Sequence, residues 1–100
     1  MSKIQYIGLK DFTEQEQELI KSLAIEYADK LERDIREFTL VINLKRHNLA
    51  GKRIKFSFHT RLDAPSFILT SKADDWDLAR TLHKIFEKIE NEIKHKFKTD

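Results

Sequence analysis

The hydrophobic period of this chain changes from about 3.6 to 2 and back, and that ordering constrains its fold more than any single residue. Leu19, Ile20, Leu23, Ala24, Tyr27, Ala28 and Leu31 recur at steps of three and four, the spacing of one helix face. Thr13-Glu14-Gln15-Glu16 precedes them as a capping box, so a helix is expected to run to about Arg33 or Asp34. From Phe38 the step becomes two. Phe38, Leu40, Ile42 and Leu44 alternate with Thr39, Val41, Asn43 and Lys45, and after a turn at Arg46–Gly51, Ile54, Phe56 and Phe58 alternate with polar residues. Asp63-Ala64-Pro65-Ser66 is a second turn, and Phe67-Ile68-Leu69-Thr70 a short further strand. The helical period returns with Leu78, Leu82, Ile85, Phe86, Ile89 and Ile93.

Ahead of all this, Lys3–Leu9 is short and rich in β-branched and aromatic residues, and reads as a first strand. The second helix is expected to begin near Asp74 and Asp75, where negative charge suits the helix dipole. It closes on Lys94, His95, Lys96 and Lys98, and residues from Phe97 to Asp100 are expected to fray. The predicted order is β-α-β-β-β-α. Two helices with one apolar stripe each and strands with one apolar face predict an α+β fold: a four-stranded mixed sheet with both helices packed on one face. The first β-α-β unit is expected to be a parallel crossover and the later strands antiparallel hairpins. One hundred residues suit a single domain spanning 1–100.

Charge marks the other sheet face. From Phe38 to Leu62 there is no Asp or Glu, while Lys45, Arg46, Lys52, Arg53, Lys55, Arg61, His47 and His59 all fall there. Yet the whole chain carries a formal net charge of only +2. Acids crowd the first helix instead, so the positive charge is concentrated. Arg53, Lys55, His59 and Arg61 share strand parity, and neighbouring side chains on one face of a strand lie roughly 6–7 Å apart, comparable with phosphates along a nucleic-acid strand. A single-sign patch repels itself, whereas mixed-sign surfaces need no partner. The candidate RNA-binding residues are therefore Lys45, Arg46, Lys52, Arg53, Lys55, His59 and Arg61. The plainer reading of the ladder is a solvated face that guards against edge pairing.

Other chemistries find little footing. The absence of cysteine excludes disulfides, thiolate metal sites and thiol catalysis. His47, His59, His83 and His95 form no H-x-x-x-H pair, so neither a metal nor another cofactor is called for. There is no G-x-S-x-G and no phosphate-binding Gly-rich loop, and an enzyme is not expected. No apolar run approaches the roughly 18 residues of a membrane span, and Met1–Gln5 has no signal-peptide pattern, so a cytoplasmic protein without membrane or small-molecule partners is expected. Trp76 reads as a packing anchor at the core edge, and His83 as a surface or boundary residue.

The topology and the last helix resemble the ribosome hibernation-promoting factor and ribosome-associated inhibitor family. That family's closing helix has the form D-x-Y-x-A-I-D-x-x-x-x-K-L-E-R-Q-L-x-K, and Asp77 to His95 is similar to it. Asp77 matches the leading Asp, Leu82 the Ile, Lys88-Ile89-Glu90 the Lys-Leu-Glu, and Ile93 the later Leu. Ala79 stands at the family's Tyr and Asn91 at its Arg. Ala28-Asp29-Lys30-Leu31-Glu32 is similar to the K-L-x-K-L-E ending of its first helix. The resemblance implies a ribosome-associated factor that contacts ribosomal RNA of the small subunit through basic side chains and blocks translation in resting or stressed cells. The core order also resembles the double-stranded-RNA-binding domain, which sets a hairpin loop and a basic helix start on phosphates. Here Lys72 and Arg80 flank the helix start beside Asp74, Asp75 and Asp77. Two other expectations stand beside these: an adaptor that docks an acidic protein on the basic face, and a homodimer through an exposed sheet edge.

Overall fold

Each change of hydrophobic period coincides with a change of element. The computed structural model describes residues 2–97, in the order β1 (Lys3–Ile7), α1 (Glu14–Leu31), β2 (Thr39–Leu49), β3 (Arg53–Ala64), β4 (Phe67–Asp75) and α2 (Leu78–Phe97). The four strands lie side by side in chain order. β1 runs parallel to β2, while β2–β3 and β3–β4 are antiparallel. This is the mixed sheet of the α+β fold expected from the sequence. The expectations for residues 98–100, Lys98 included, lie outside the described residues.

The α1 start is a reciprocal cap. Thr13 Oγ1 accepts the Glu16 N–H at 3.1 Å, and Glu16 Oε1 accepts the Thr13 N–H at 2.9 Å. Such a cap is worth about 1 kcal/mol. α1 buries Ile20, Ala24, Ala28 and Leu31, and α2 buries Leu78, Leu82, Ile85, Phe86, Ile89 and Ile93. Both sets meet Leu40, Ile42, Leu44, Phe56, Phe58 and Leu62 in one core cluster. These strand residues share parity, so the helices cover one sheet face and leave the other open.

Several boundaries differ from expectation. β1 stops at Ile7 because Gly8 adopts φ 88°, a left-handed conformation. β2 continues through the expected turn to Leu49, and the chain reverses at Ala50–Lys52. β4 runs on to Asp75 rather than ending at Thr70. On its covered side stand Ser71 and Ala73, small enough to lie beneath α2, so no large apolar residue signals the extension. Ser71 Oγ donates to the Ile85 carbonyl at 2.9 Å and ties β4 to α2. The α2 cap is Asp77, whose Oδ1 accepts the Arg80 N–H at 2.8 Å. Asp74 and Asp75 belong to β4 instead.

Thr60 is wholly buried on the covered face between Phe58 and Leu62, and its hydroxyl has no hydrogen-bond partner among the described residues. A buried unpaired hydroxyl carries a desolvation penalty with no return. Thr60→Val, of nearly the same shape, is expected to stabilise the fold by about 1 kcal/mol. Urea unfolding checks this, and a destabilised variant would mean the hydroxyl is satisfied.

Candidate nucleic-acid interface

The strand registers lay out the open face as a grid. Thr39 lies between Lys3 and Asp63, and Val41 between Gln5 and Arg61. Ile7, Asn43, His59 and Lys72 form the next row. Beyond the end of β1 come Lys45, Ser57 and Asp74, then His47 opposite Lys55, then Leu49 opposite Arg53. Rows lie about 6.6–6.8 Å apart along the strands. β2 and β3 thus continue past β1 and β4 as a two-stranded tip, in a molecule with a longest extent of 50 Å.

Most of the predicted cations reach this face or its tip. Lys45, Arg53, Lys55, His59 and Arg61 stand on it, and Lys52 lies in the exposed tip turn with φ 63°. Arg46 does not. It shares parity with Leu44, so it points to the helix side, where its Nε lies 3.1 Å from Glu16 Oε1 with 18% of its side chain exposed. Arg46 is consumed in fixing the tip to the α1 cap, which withdraws it from the cationic face.

The face also holds acids that the Phe38–Leu62 segment lacks. Asp74, brought in by the extension of β4, lies 3.5 Å from Lys55, and Asp63 bonds Arg61 at 2.8 Å. Both pairs are solvent-exposed and so worth little, roughly 0–1 kcal/mol. Lys45, Lys52, Lys72 and Arg53 have no carboxylate partner among the described residues. Hence the charge left for an outside anion is centred on Lys45 and Lys72 rather than spread evenly along β3.

Three cations escaped sequence reasoning. Lys72, expected near a helix start, stands on β4 beside His59. Lys84 and Lys88, one helical turn apart on α2, reach round the β4 edge. With Asn43, Lys45, His59, Lys72 and Asp74 they line a cleft of about 560 Å³. Lys88 Nζ donates to the Lys72 carbonyl at 2.5 Å, and Lys84 Nζ to Asp75 Oδ2 at 2.7 Å. The four-residue spacing of Lys84 and Lys88 was readable, but not its proximity to an edge strand.

Asp75 organises the joint between β4 and α2. Its Oδ1 accepts the N–H groups of Trp76 at 2.7 Å and Asp77 at 3.1 Å, and Arg80 approaches at 3.4 Å. The Lys84 hydrogen bond, aided by those N–H groups and opposed by desolvation, lowers its pKa from the usual 3.8 to about 2. The joint turns Trp76 onto the open side rather than into the core. Trp76 is 47% exposed, and the Arg53 guanidinium carbon lies 4.1 Å from its ring centroid. The packing role expected for Trp76 is therefore not the one it has, because the bend between β4 and α2 sets its ring against Arg53 and Lys55 of the open face.

On the helix side, His83 is exposed as expected and shares a hydrogen bond with the Tyr27 hydroxyl. Burial, then the charges of Glu90, Glu26 and Glu87, raise the Tyr27 pKa above its ordinary 10.0. Tyr27 also stacks on Phe86 at 4.6 Å, so this contact belongs to the helix packing.

These features define an α+β fold with one sheet face sealed by two helices and the other open and predominantly cationic. No protein-family model and no curated protein matches the chain. Among solved structures, it is similar to the N-terminal domain of Protein Y from Thermus thermophilus, with a TM-score of 0.67 and 20% sequence identity over 93% of each chain. That likeness establishes the shared fold. No helix among the described residues is long and apolar enough to cross a membrane.

Proposed function

We propose that this protein is a cytoplasmic, ribosome-associated RNA-binding factor of hibernation-factor type. It occupies the small subunit and silences translation by filling a site that substrates need, without catalysis or cofactor. The observation that carries this reading is the open face, where Lys45 and Lys72 flank a cleft and have no carboxylate partner. Unpaired cations release counterions when they meet phosphate, the dominant sequence-independent source of affinity for nucleic acid. The fold shared with the Protein Y N-terminal domain supports the topology on which the hibernation-factor resemblance rests. Phosphate contacts carry little sequence information, so selectivity comes from the shape of the RNA site.

Sucrose-gradient co-sedimentation with ribosomes and separated subunits tests the proposal. Wild type is expected with the small subunit at low salt. Lys45→Glu with Lys72→Glu is expected to remain at the top of the gradient, with binding to free RNA weakened at least about tenfold and a flatter salt dependence. Wild type at the top at every salt would sink the ribosome reading. Retained binding by the folded double variant would move the contact surface elsewhere, and binding that bulk RNA cannot compete away would favour an acidic protein partner.

A further inference from the structure

The Arg53–Trp76 pair is not explained by phosphate binding alone. The indole stays about half open at the end of a polar sheet face, with cations beside it rather than the apolar core. Its position is held from two sides: the Asp75 carboxylate accepts the N–H of residue 76 at 2.7 Å, and the ring lies against Arg53 and Lys55 of the open face. Arg53 lies 4.1 Å from the ring centroid and Lys55 Nζ 5.5 Å from it. A flat π surface thus sits among cations that do not enclose it.

We infer that Trp76, backed by Arg53, is a stacking platform for an unpaired nucleobase, at the tip end of the cationic face. The inference rests on the RNA-binding reading and adds the state of the RNA at that point. Counted from Arg53, Lys55 lies one row away and Lys45 two, so a strand running along the face sets a phosphate on Lys45 while one base turns onto the indole. Within a duplex the base faces are already stacked on one another, and only an unpaired or splayed base offers one. Base–aromatic stacking tolerates any base, because every base has a π face. The ligand class is therefore single-stranded RNA, or a looped-out nucleotide, rather than continuous duplex.

Trp76 is the chain's only tryptophan, so its fluorescence reports this position alone. The test titrates the whole protein with a short oligouridylate, with inorganic polyphosphate of matched charge, and with an RNA duplex closed by loops of abasic spacer at both ends. Oligouridylate is expected to quench the emission strongly, whereas polyphosphate and the closed duplex bind with little quenching. By anisotropy of a labelled oligouridylate, Trp76→Ala is expected to bind about 10- to 100-fold more weakly. Trp76→Phe should recover most of the loss, and polyphosphate affinity should be the same in all three proteins. Equal quenching by polyphosphate, or unaltered oligouridylate affinity in Trp76→Ala, overturns the platform and leaves RNA binding standing. Failure of wild type to bind either RNA overturns both. Circular dichroism of the variants checks that loss of affinity is not loss of fold.

Discussion

Phe86→Ala is expected to lose about 3–5 kcal/mol of folding free energy, the usual cost of emptying an aromatic site in a packed core. Phe86 has no exposed surface, and its ring lies parallel to Tyr27 at a centroid distance of 4.6 Å. It therefore holds α1 against α2 while helping seal the sheet. Domains of this size have only about 5–15 kcal/mol in hand. Each kcal/mol shifts the midpoint by roughly 4–8 °C, so thermal circular dichroism should show Tm falling by about 12 °C or more. A loss below about 1 kcal/mol would mean the helix layer can collapse around the gap, and that Phe86 is not the strut described.

Gly8→Ala should be the second large effect, and for a different reason. Gly8 has φ 88°, and a Cβ added there would lie 2.4 Å from the Leu44 carbonyl oxygen in β2. The left-handed backbone costs a non-glycine residue roughly 1–2 kcal/mol, and the clash is with backbone, which cannot turn aside. A loss of about 2–4 kcal/mol is expected by urea unfolding. Gly51 supplies the control. Its φ is 76°, but nothing lies within 4 Å of an added Cβ, so Gly51→Ala should show only the conformational part, about 1 kcal/mol. Equal losses at the two glycines would show that the close approach of Gly8 to β2 contributes nothing.

The helices and the central strands were legible because their side chains report burial directly. Leu82, Ile85, Phe86, Ile89 and Ile93 form a stripe in the sequence and a buried stripe in the fold. Legibility failed where burial is achieved with small or charged residues. Ser71 and Ala73 lie under α2 without the bulk that marks a strand, so β4 read too short and Asp74 was missed on the open face. Arg46 shares parity with Leu40, Ile42 and Leu44, but a turn assigned at Arg46 hid that parity, along with its partner thirty residues earlier in the chain. Trp76 departs from expectation for a related reason: β4 runs up to Asp75, so the residue that follows it emerges at the open face beside Arg53. The site was therefore readable as a cationic strand and not as a surface. Its neighbours on β4 are joined to it by the register, and those on α2 by the packing of that helix along β4.

The reach of the β2–β3 tip beyond β1 has a further consequence, for solubility. Past Leu44, whose carbonyl Gly8 approaches closely, β2 has no strand on its outer side among the described residues. A bare edge of that kind is a template for a second chain. Lys45 stands along it, and charge on an edge strand deters such pairing. The lysine offered to an anion thus also opposes edge-to-edge pairing between copies. Neutral substitutions there risk trading lost affinity for self-association, whereas Glu at position 45 preserves a charge on the edge.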